Sequence, residues 1–421
     1  MLINLYSLLS NTFYLPILLF FLVRFLLSKE TFLSLNEKFG FYIRPRPGGK
    51  IIWINAVSIG ESLSVFSIIK KILLKYPNHK ILLTTSTLTS AKIIKERFPK
   101  DIIHKFTPID IQFVVKKFFK YWKPDIGFFL ESEFWPNLLS YSRKENIKLI
   151  SLNSRISEKT FHNWLRIPNT AKKLLNSFSL FFAQDKLSEN RLKKLGVKKI
   201  FNHGNIKFLS EQLPFNIQDY NVFKKYLKNR SVILLASSHP GEEKFVYKEF
   251  ELLRKKQKNL FLILAPRHAH RSNNLEKFLR SQNSNFSIKS KENYNYKNTN
   301  CLIVDTFGEL GLFYKLSDIV IIGGSFVPHG GQNPIEASYF NCCVIIGPYY
   351  ENFFEIIKKF KKHNAIMQIN SFNQLSVVLK KLLSEHNLRE KLKKNIFSAS
   401  VTEKKRVNKI WSKINTIIKE L

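Results

Sequence analysis

The chain has 421 residues, too many for one ordinary core, and its 44% hydrophobic content excludes a disordered protein, so two folded domains are expected. Lysine and arginine number 68 against 31 acidic residues, a formal net charge of +37. That charge indicates an anionic partner, although a genome biased towards lysine codons would also produce it.

Residues 2–27 are nearly all apolar and approach the length of about 20 residues that a membrane-spanning helix needs. The stretch lacks the positive start and the small-residue cleavage site of a signal peptide. Basic residues follow it, which predicts that the rest of the chain is cytoplasmic: Arg24, Lys29, Lys38, Arg44, Arg46 and Lys50. Residues 1–28 are therefore predicted to anchor the protein, either spanning once or lying in the interface with Arg24 snorkelling. A buried amphipathic helix is the alternative.

From Lys50 onwards, short apolar runs alternate with segments of helical periodicity. Each run ends in a small or polar loop, as in "KIIWINAVSIGE", "HKILLTTSTLTS" and "PDIGFFLESEFWPN". Alternating strands and helices are typical of a parallel sheet wound by right-handed crossovers. The sequence therefore predicts a Rossmann-like domain over residues 29–205.

The pattern lapses at residues 206–229, where a proline and the lack of long periodicity indicate a linker. It restarts in "SVILLASSHPGEE", which predicts a second Rossmann-like domain over 230–371 with a polar loop at 290–300. A lysine-rich helical segment, 372–421, follows. The predicted fold class is α/β, with the two domains facing each other across a cleft. Such sheets bind ligands at the carboxyl ends of their strands.

Glu61 follows the first strand of the series, within "SIGE". Gly60 permits a tight turn, and Glu61 falls in the first turn of the next helix, where the helix dipole favours an ionised carboxylate. An ionised carboxylate facing a cleft can accept a proton from a hydroxyl group. In the alternative, Glu61 only complements the helix dipole. This pattern taken alone favours that alternative.

Glu131 and Glu133 follow the apolar run "IGFFL", with Trp135 and Pro136 directly after them. Alternation along an extended segment would place both carboxylates on one face. A capping cluster is the alternative, since Pro136 suits the first position of a helix. Two acids beside a tryptophan in an apolar setting favour a functional site.

Basic residues follow a strand of the second half, in "APRHAHR". Arg267 and His268 at a strand end suit a phosphate, with a basic surface loop as the alternative. His268 and His270 are separated by one residue, as metal ligands can be. The sequence has no carboxylate at ligand spacing and no H-E-x-x-H motif, so no metal site is predicted.

The glycine-rich stretch "IIGGSFVPHGGQNPIEAS" holds the densest set of candidate binding residues. Its glycines let the backbone approach a ligand closely. Asn333 suits a helix N-cap and Pro334 the first helical position, and the helix N-terminus can hold a phosphate. Glu336 either closes a capping box or accepts hydrogen bonds from ribose hydroxyls. Upstream, "DTFGELG" places Gly308 and Glu309 after another strand.

An acidic first domain, a phosphate- and ribose-binding second domain and a membrane-attached N-terminus together predict a nucleotide-sugar glycosyltransferase of the two-domain GT-B type. At these residues the chain also resembles the 3-deoxy-D-manno-octulosonic acid (Kdo) transferase family of lipopolysaccharide synthesis. The matching segments keep the family order up to about residue 355: "NAVSIGE", "ESEFWPN", "NSRIS", "GNIKF", "ASSHPGEE", "APRH", "DTFGELGLFYKLSD", "GGSFVPHGGQNPIEAS" and "GPYYENF". Each segment is weak alone, and together they are specific.

The resemblance implies an inverting transfer of Kdo from CMP-Kdo to lipid IV-A, independent of metals and cofactors. It implies that Glu61 is the general base on the acceptor hydroxyl and that Glu131 is a second catalytic carboxylate, which leaves Glu133 and Trp135 in supporting or structural roles. Lys207 in "GNIKF" is a further candidate for donor contact. CMP would be held by residues from three segments: Pro266, Arg267, Phe307, Gly308, Glu309, Asn333, Pro334, Ile335 and Glu336.

Two positions depart from the family pattern. Gln332 stands where the family usually has histidine, and it can form hydrogen bonds but cannot carry a charge. Phe307 replaces the usual methionine, which is conservative for packing. The catalytic acids are both present, so activity is expected.

The implied acceptor carries two phosphates and lies in the inner leaflet, so the protein is expected at the cytoplasmic face of the inner membrane, held to the lipid surface by its N-terminal anchor. A GT-B enzyme with another nucleotide-sugar donor is the alternative function. Nucleic acid is not an expected partner, because the aromatic residues lie within apolar runs and acids crowd the strand ends.

Overall fold

The computed structural model describes residues 2–43, 45–291 and 299–421. The chain divides into two compact units, the first formed by Met1–Ser210 with Lys404–Leu421 and the second by Glu211–Glu403. The polar stretch 290–300, predicted as a loop, lies mostly outside the described residues.

The first unit is built around a parallel sheet. Its strands are Ile51–Asn55 (β1), Lys80–Thr85 (β2), Ile103–Phe106 (β3), Ile126–Leu130 (β4), Lys148–Ser154 (β5), Phe178–Ala183 (β6) and Ile200–Phe201 (β7). Its helices are Leu2–Thr12 (α1), Tyr14–Leu26 (α2), Phe32–Lys38 (α3), Ile59–Lys75 (α4), Leu88–Arg97 (α5), Gln112–Trp122 (α6), Pro136–Lys144 (α7), Glu158–Leu165 (α8), Pro168–Leu175 (α9) and Lys186–Lys194 (α10), and a 3-10 turn follows at Ile206–Leu209. Within the described residues the strand order is β3-β2-β1-β4-β5-β6-β7.

This strand order places a topological switch point between β1 and β4. The chain winds outwards from β1 to β3 and then returns to the other side of β1 with β4. Both strands are buried along their whole length, which explains their unbroken apolar sequences. Trp53 of β1 is fully buried, and its indole N–H donates to Thr84 Oγ1 at 2.8 Å. In such sheets the ligand site lies outside the carboxyl ends of the strands at the switch point.

The second unit repeats this plan. Its strands are Ser231–Ser238 (β8), Leu260–Pro266 (β9), Phe286–Ile288 (β10), Cys301–Ile303 (β11), Ile319–Ile322 (β12), Cys343–Ile346 (β13) and Met367–Gln368 (β14). Its helices are Ile217–Tyr226 (α11), Glu242–Arg254 (α12), Ser272–Ser281 (α13), Leu310–Leu316 (α14), Pro334–Ser338 (α15), Phe354–Lys362 (α16) and Asn373–Ser384 (α17). For the part of the chain that is described, the order is β10-β11-β9-β8-β12-β13-β14, with the switch point between β8 and β12. The last helix, His386–Lys419 (α18), begins in the second unit and ends in the first.

The stretch predicted as a linker, 206–229, contains the 3-10 turn and helix α11. Asn216 caps α11 by accepting from the backbone N–H of Gln218 at 2.7 Å. Phe223 is fully buried, whereas Ile217 and Val222 are 60% and 40% exposed. Because so few apolar residues of this helix face the core, its sequence lacks the periodicity that would have indicated a helix.

The N-terminal helices α1 and α2 lie against the first unit. Ser7 and Asn11 of α1 donate hydrogen bonds to Asn137 at 2.6 Å and Gln112 at 2.9 Å. Helix α2 packs its residues Tyr14, Ile17, Leu18 and Phe21 against Phe39, Ile111 and Val114. The opposite side of α2 is exposed and apolar, and includes Leu15, Leu19, Leu22 and Leu26. Across the described residues no single helix has the length and apolarity to cross a membrane, although α1 and α2 together, bent by 56°, have both.

A buried ion cluster fixes the end of α2. The carboxylate of Glu30, 4% exposed, pairs with Arg24 at 3.1 Å and with Lys38 at 2.7 Å. Arg24, predicted to snorkel towards lipid headgroups, is therefore held by a carboxylate of the protein itself.

Candidate active site

The predicted catalytic residues of the first unit follow two neighbouring strands. Glu61 comes after β1 and Glu131 after β4, and these strands pair through Asn55 and Phe129 at their carboxyl ends. The two carboxylates therefore belong to the topological switch point of the sheet, where α/β folds of this kind bind ligands.

Glu61 lies in the first turn of α4, as predicted. Ser58 is the N-cap and accepts from the Glu61 backbone N–H at 3.3 Å. The Glu61 carboxylate in turn accepts from the Ser58 hydroxyl at 2.9 Å and from the Val57 backbone N–H at 3.0 Å. This side chain, 8% exposed, thus closes the start of the helix. The Ser-x-x-Glu spacing typical of a capping box would have indicated the role of Ser58.

The protonation of Glu61 differs from the sequence-based expectation. Burial, reinforced by the nearby carboxylates of Glu131 and Glu133, raises the pKa of Glu61 to about 8. The expectation of an ionised group at the helix N-terminus was therefore wrong for neutral pH, because desolvation and like charges outweigh the helix dipole and the two hydrogen bonds. A carboxyl with a pKa near the working pH suits proton transfer.

Glu131 turns the chain out of the sheet. Its φ of 53° lies in the left-handed region, and its N–H donates to Leu152 O at 2.9 Å. The prediction that Glu131 and Glu133 alternate along one extended face was wrong, because β4 ends at Leu130 and the backbone reverses at Glu131. The left-handed residue aims the Glu131 carboxylate at Lys207, whose Nζ lies 3.1 Å from Oε1.

Lys207 is positioned by a network of amides. It belongs to the 3-10 turn after β7, whose N-cap Asn205 accepts from the Lys207 N–H at 3.0 Å. The side chain of Asn153, at the end of β5, accepts from the Ile206 N–H at 3.0 Å. The first unit thus brings Lys207 to the Glu131 carboxylate, a contact that the sequence did not predict, and its role as a donor contact stays a prediction.

Glu133 and Trp135 bind each other. The Trp135 indole N–H donates to the Glu133 carboxylate, and Trp135 itself is the N-cap residue of α7, which begins at Pro136. Burial raises the pKa of Glu133, with Glu131 as a further cause. Glu133 therefore adds a second carboxylate that disfavours ionisation of Glu61.

In the second unit, the predicted donor-binding residues follow three strands that lie together at one edge of the sheet. Pro266 is the last residue of β9 and Arg267 follows it, the segment 307–309 follows β11, and the segment 333–336 follows β12. Strands β11, β9, β8 and β12 are consecutive neighbours in the sheet. Since all are parallel, their carboxyl ends lie along the same edge.

Two of these segments expose groups suited to a nucleotide. Arg267 is exposed, and its backbone N–H donates to Ser238 O at 3.0 Å. Phe307 is 69% exposed next to Gly308, whose φ of 87° suits glycine. The Glu309 carboxylate accepts from the Thr306 hydroxyl and lies 3.7 Å from Lys289 Nζ.

The third segment forms the predicted helix start. Asn333 is the N-cap of α15 and accepts from the Ile335 N–H at 3.1 Å, and Pro334 occupies the first helical position. Glu336 accepts from the Asn333 side-chain amide at 3.1 Å. The side chains of Pro334 and Ile335 are buried, and their contact with CMP stays a prediction.

Glu242 is a structural residue of this edge that the sequence analysis missed. Its carboxylate is fully buried and accepts three backbone N–H groups, from His239 at 2.8 Å, Gly324 at 2.8 Å and Phe326 at 3.0 Å. It therefore ties the end of β8 to the glycine-rich loop after β12. At Gly323 in this loop a Cβ would lie 2.4 Å from Ser237 O, so only glycine permits the approach. The Gly-Glu pair at the start of a helix was the available signal.

Gln332 binds His239. The Gln332 side-chain amide lies 2.9 Å from His239 Nε2, and the rings of His239 and His329 are 3.8 Å apart between centroids. Burial lowers the pKa of His239 to about 4, with His329, His268, Arg271 and Arg267 as further causes. The exposed Arg267 supplies positive charge at the end of β9, which suits an anionic ligand.

The described ranges, 2–43, 45–291 and 299–421, contain no group of three His, Cys, Asp or Glu side chains placed to hold a metal ion. Metal and cofactor independence stays a prediction.

Known proteins similar in sequence to this chain include 3-deoxy-D-manno-octulosonic acid transferases. The family model described as 3-deoxy-D-manno-octulosonic-acid transferase (kdotransferase) matches residues 34–210. The 3-deoxy-D-manno-octulosonic acid transferase of Rickettsia bellii (strain RML369-C) is 34% identical over 368 residues, which cover 87% of this chain and 88% of that protein. The enzyme of the same name from Haemophilus influenzae (strain ATCC 51907 / DSM 11121 / KW20 / Rd) is 32% identical over 85% of both chains.

A solved structure agrees with the fold. A glycosyltransferase from Rickettsia africae ESF-5 covers 89% of this chain and 99% of its own, with a TM-score of 0.60 at 14% sequence identity. At that identity the likeness shows the fold alone, two parallel-sheet α/β domains resembling GT-B glycosyltransferases. The sequence relatives identify the chain as a member of the 3-deoxy-D-manno-octulosonic acid transferase family, and hence as a glycosyltransferase.

Proposed function

We propose that the protein transfers Kdo from CMP-Kdo to lipid IV-A in lipopolysaccharide synthesis. Membership of the 3-deoxy-D-manno-octulosonic acid transferase family supports Kdo as the transferred sugar. The observation that carries the proposal is the cluster of Glu61, Glu131 and Lys207 at the switch point of the first sheet, with the pKa of Glu61 raised to about 8. A buried acid whose pKa lies near neutrality is suited to general-base catalysis.

Glu61 is the proposed general base. Its ionised form takes the proton from an acceptor hydroxyl as that oxygen bonds to the anomeric carbon of Kdo. The bond from this carbon to the phosphate oxygen breaks in the same displacement, and CMP leaves with the bonding electron pair. Attack from the face opposite to CMP inverts the configuration at the anomeric carbon.

Glu131 and Lys207 are proposed to act on the developing charge. Positive charge grows at the anomeric carbon as CMP departs, and the Glu131 carboxylate is suited to stabilise it. The 3.1 Å ion pair with Lys207 fixes the direction of the Glu131 carboxylate. The ammonium group of Lys207 is also a candidate contact for the anionic donor.

CMP is proposed to bind along the edge of the second sheet. The Arg267 guanidinium is suited to the phosphate, and Glu309 and Glu336 are suited to accept hydrogen bonds from ribose hydroxyls. The buried Pro334 and Ile335 would contribute by shaping the start of α15. In this proposal Gly308, which has no side chain, lets the ligand approach the backbone closely. Neither a metal nor a cofactor takes part.

The protein is proposed to act at the cytoplasmic face of the inner membrane. The exposed apolar side of α2 supports attachment to the lipid surface, while its other side packs against α3 and α6. We favour an interfacial position for α1 and α2, because Ser7 and Asn11 are hydrogen-bonded to the first unit. The domain limits predicted from the sequence remain part of this proposal.

A transfer assay with two donors tests the proposed function. Lipid IV-A is incubated with the purified protein and either CMP-Kdo or UDP-N-acetylglucosamine. The mass of the lipid is then measured by mass spectrometry. The proposal expects a gain of Kdo mass with CMP-Kdo and no gain with the UDP-sugar. A gain only from the UDP-sugar would favour the alternative of a GT-B enzyme with another donor.

A further inference from the structure

A pocket of about 790 Å³ lies at the edge of the first sheet, among α3, α5 and β3. Its volume falls within the range of about 300–1,000 Å³ typical of small-molecule sites. Strand β2 separates β3 from β1, and none of the residues around the pocket belongs to the carboxylate cluster. The pocket is therefore a separate feature of the first unit.

The lining of this pocket is largely apolar from its buried part to the surface. The buried side chains are Ile94, Phe98 and Phe106, at 4%, 7% and 3% exposure. Leu33, Phe41 and Ile43 line the same pocket but are 55%, 52% and 83% exposed. An apolar lining that continues into exposed apolar side chains suits a hydrocarbon chain that enters from outside.

The charged groups around the pocket are mainly positive. Lys92, Lys95, Lys100 and Lys105 line it, against the single carboxylate of Glu37. That carboxylate is satisfied by Lys105 at 2.5 Å and by the Phe106 N–H at 3.0 Å. Lys95 and Lys100 are exposed, and the pocket surface therefore complements an anionic headgroup.

Histidine adds no charge to this pocket near neutral pH. Burial lowers the pKa of His104 to about 4, and its Nε2 lies 2.9 Å from the Thr85 hydroxyl. The exposed lysines alone are thus available to an anion.

Exposed apolar side chains lie on both sides of the short segment that joins α2 to α3. Leu26 and Leu27 are 80% and 59% exposed, and Phe32, next to the lining residue Leu33, is 69% exposed. Helix α3 forms one wall of the pocket, so the apolar side chains near its start are close in sequence to the pocket lining.

We propose that this pocket binds an acyl chain of an anionic lipid, whose phosphate is contacted by Lys95 and Lys100. The identification of that lipid with the acceptor rests on the proposed function. The pocket would then hold the acceptor by its hydrocarbon part, apart from the sugar that receives Kdo.

Photocrosslinking locates the bound chain directly. The full-length protein, in nanodiscs of zwitterionic phospholipid, is irradiated with dodecyl phosphate that carries a diazirine at the end of its chain. Peptide mapping is expected to find the label in segments 33–43 and 88–106. Label confined to 2–27, or no label, overturns the proposal. Equal labelling by a neutral dodecyl glycoside carrying the same diazirine overturns the role of the lysines.

A pair of variants on α5 provides the matched control. Ala91 lines the pocket and is half-buried, whereas Thr89 on the same helix is exposed and outside the lining. Ala91→Trp is expected to abolish the label in 88–106, and Thr89→Trp to preserve it. Equal melting temperatures of the two variants show that the loss is not unfolding. Unchanged labelling in folded Ala91→Trp contradicts the proposal.

Kinetics connect the pocket to the reaction. Ala91→Trp is expected to raise the KM for lipid IV-A about tenfold or more, because the burial of several methylenes is lost. The KM for CMP-Kdo and for a deacylated acceptor should stay unchanged. An equal rise for both acceptors contradicts an acyl-chain site. Photolabelling needs no transfer, so a labelled pocket in a protein without transferase activity would refute the proposed function and leave this inference standing.

Discussion

Glu61 combines a structural and a proposed chemical role in one carboxyl group. It accepts hydrogen bonds from Ser58 and Val57 at the start of α4, while burial and the neighbouring carboxylates raise its pKa to about 8. The local fold therefore holds both carboxyl oxygen atoms in place. The raised pKa has consequences for stability and for activity, and each can be measured.

Stability should depend on pH through Glu61. A folded-state pKa of about 8 against an ordinary value of 4.5 means that the native state keeps a proton that the unfolded state releases. The contribution of Glu61 to the unfolding free energy therefore falls as pH rises from about 4.5 to about 8. Glu61→Gln does not titrate and so has no such loss of stability. The difference in melting temperature, variant minus wild type, should therefore increase over that pH range. A constant difference would mean that Glu61 titrates normally.

Activity should depend on pH through the same group. If ionised Glu61 is the base, kcat/KM rises with pH and levels off above about 8. Glu133→Gln removes one of the like charges that raise the pKa of Glu61, so the rise should move to lower pH. Glu145→Gln, at the exposed end of α7, is the control and should leave the profile unchanged. A profile that does not move in Glu133→Gln would contradict the coupling.

At the scale of elements, Glu242 connects α12 to the loop between β12 and α15. Glu242→Ala leaves three buried N–H groups without an acceptor, each of which costs about 1–3 kcal/mol. The variant should lose several-fold more stability than Glu249→Ala on the same helix, measured by urea unfolding. CMP binding, measured by calorimetry, should weaken in a folded Glu242→Gln variant. Wild-type stability in Glu242→Ala would show that water replaces the carboxylate.

Much of the fold was predictable because its signals are local. The apolar runs of β1 and β4, the proline that begins α7 and the cap at Asn333 each depend on neighbouring residues, and each lies where the sequence indicated. Helix α11 was not recognised from the sequence, because the apolar residues of the core that it covers belong mostly to other elements. Sequence periodicity reports only the apolar face of an element itself.

The candidate site was predictable in its residues but not in its geometry. The left-handed turn at Glu131 is set by the N–H bond to β5, a contact that the sequence of β4 does not encode. The pKa of Glu61 depends on carboxylates about 70 residues away along the chain, as their numbering shows. The three N–H groups that Glu242 accepts come from the ends of two strands, so the Gly-Glu pair could indicate the start of a helix but not these distant partners.

On the scale of the whole molecule, the net charge of +37 and the exposed apolar side of α2 both favour an anionic membrane surface. Binding to vesicles that contain anionic phospholipid should weaken as salt rises from about 0.1 M to about 1 M, because the Debye length falls from about 10 Å to about 3 Å. Cosedimentation measures this loss. Salt-independent binding would show that charge makes no contribution.

The contribution of the apolar side of α2 to membrane binding can be tested separately from that of the charge. Leu19→Glu combined with Leu26→Glu places charges on the exposed side of α2, and should abolish cosedimentation even at low salt. Leu74→Glu is the control, since Leu74 is 85% exposed at the end of α4 and should retain binding. Equal binding by the double variant and the control would contradict attachment through α2.

The most direct test of the central claim is the rate of Kdo transfer by Glu61→Gln, followed as the mass of lipid IV-A after incubation with CMP-Kdo. Wild type should add Kdo, and the number of mass increments gives the number of Kdo units. Glu61→Gln keeps the shape of the cap but cannot accept a proton, so its rate should fall by about 10²–10⁴-fold. Glu133→Gln should remain active. A Glu61→Gln protein that transfers Kdo at the wild-type rate would contradict the assignment of the base and the account built on it.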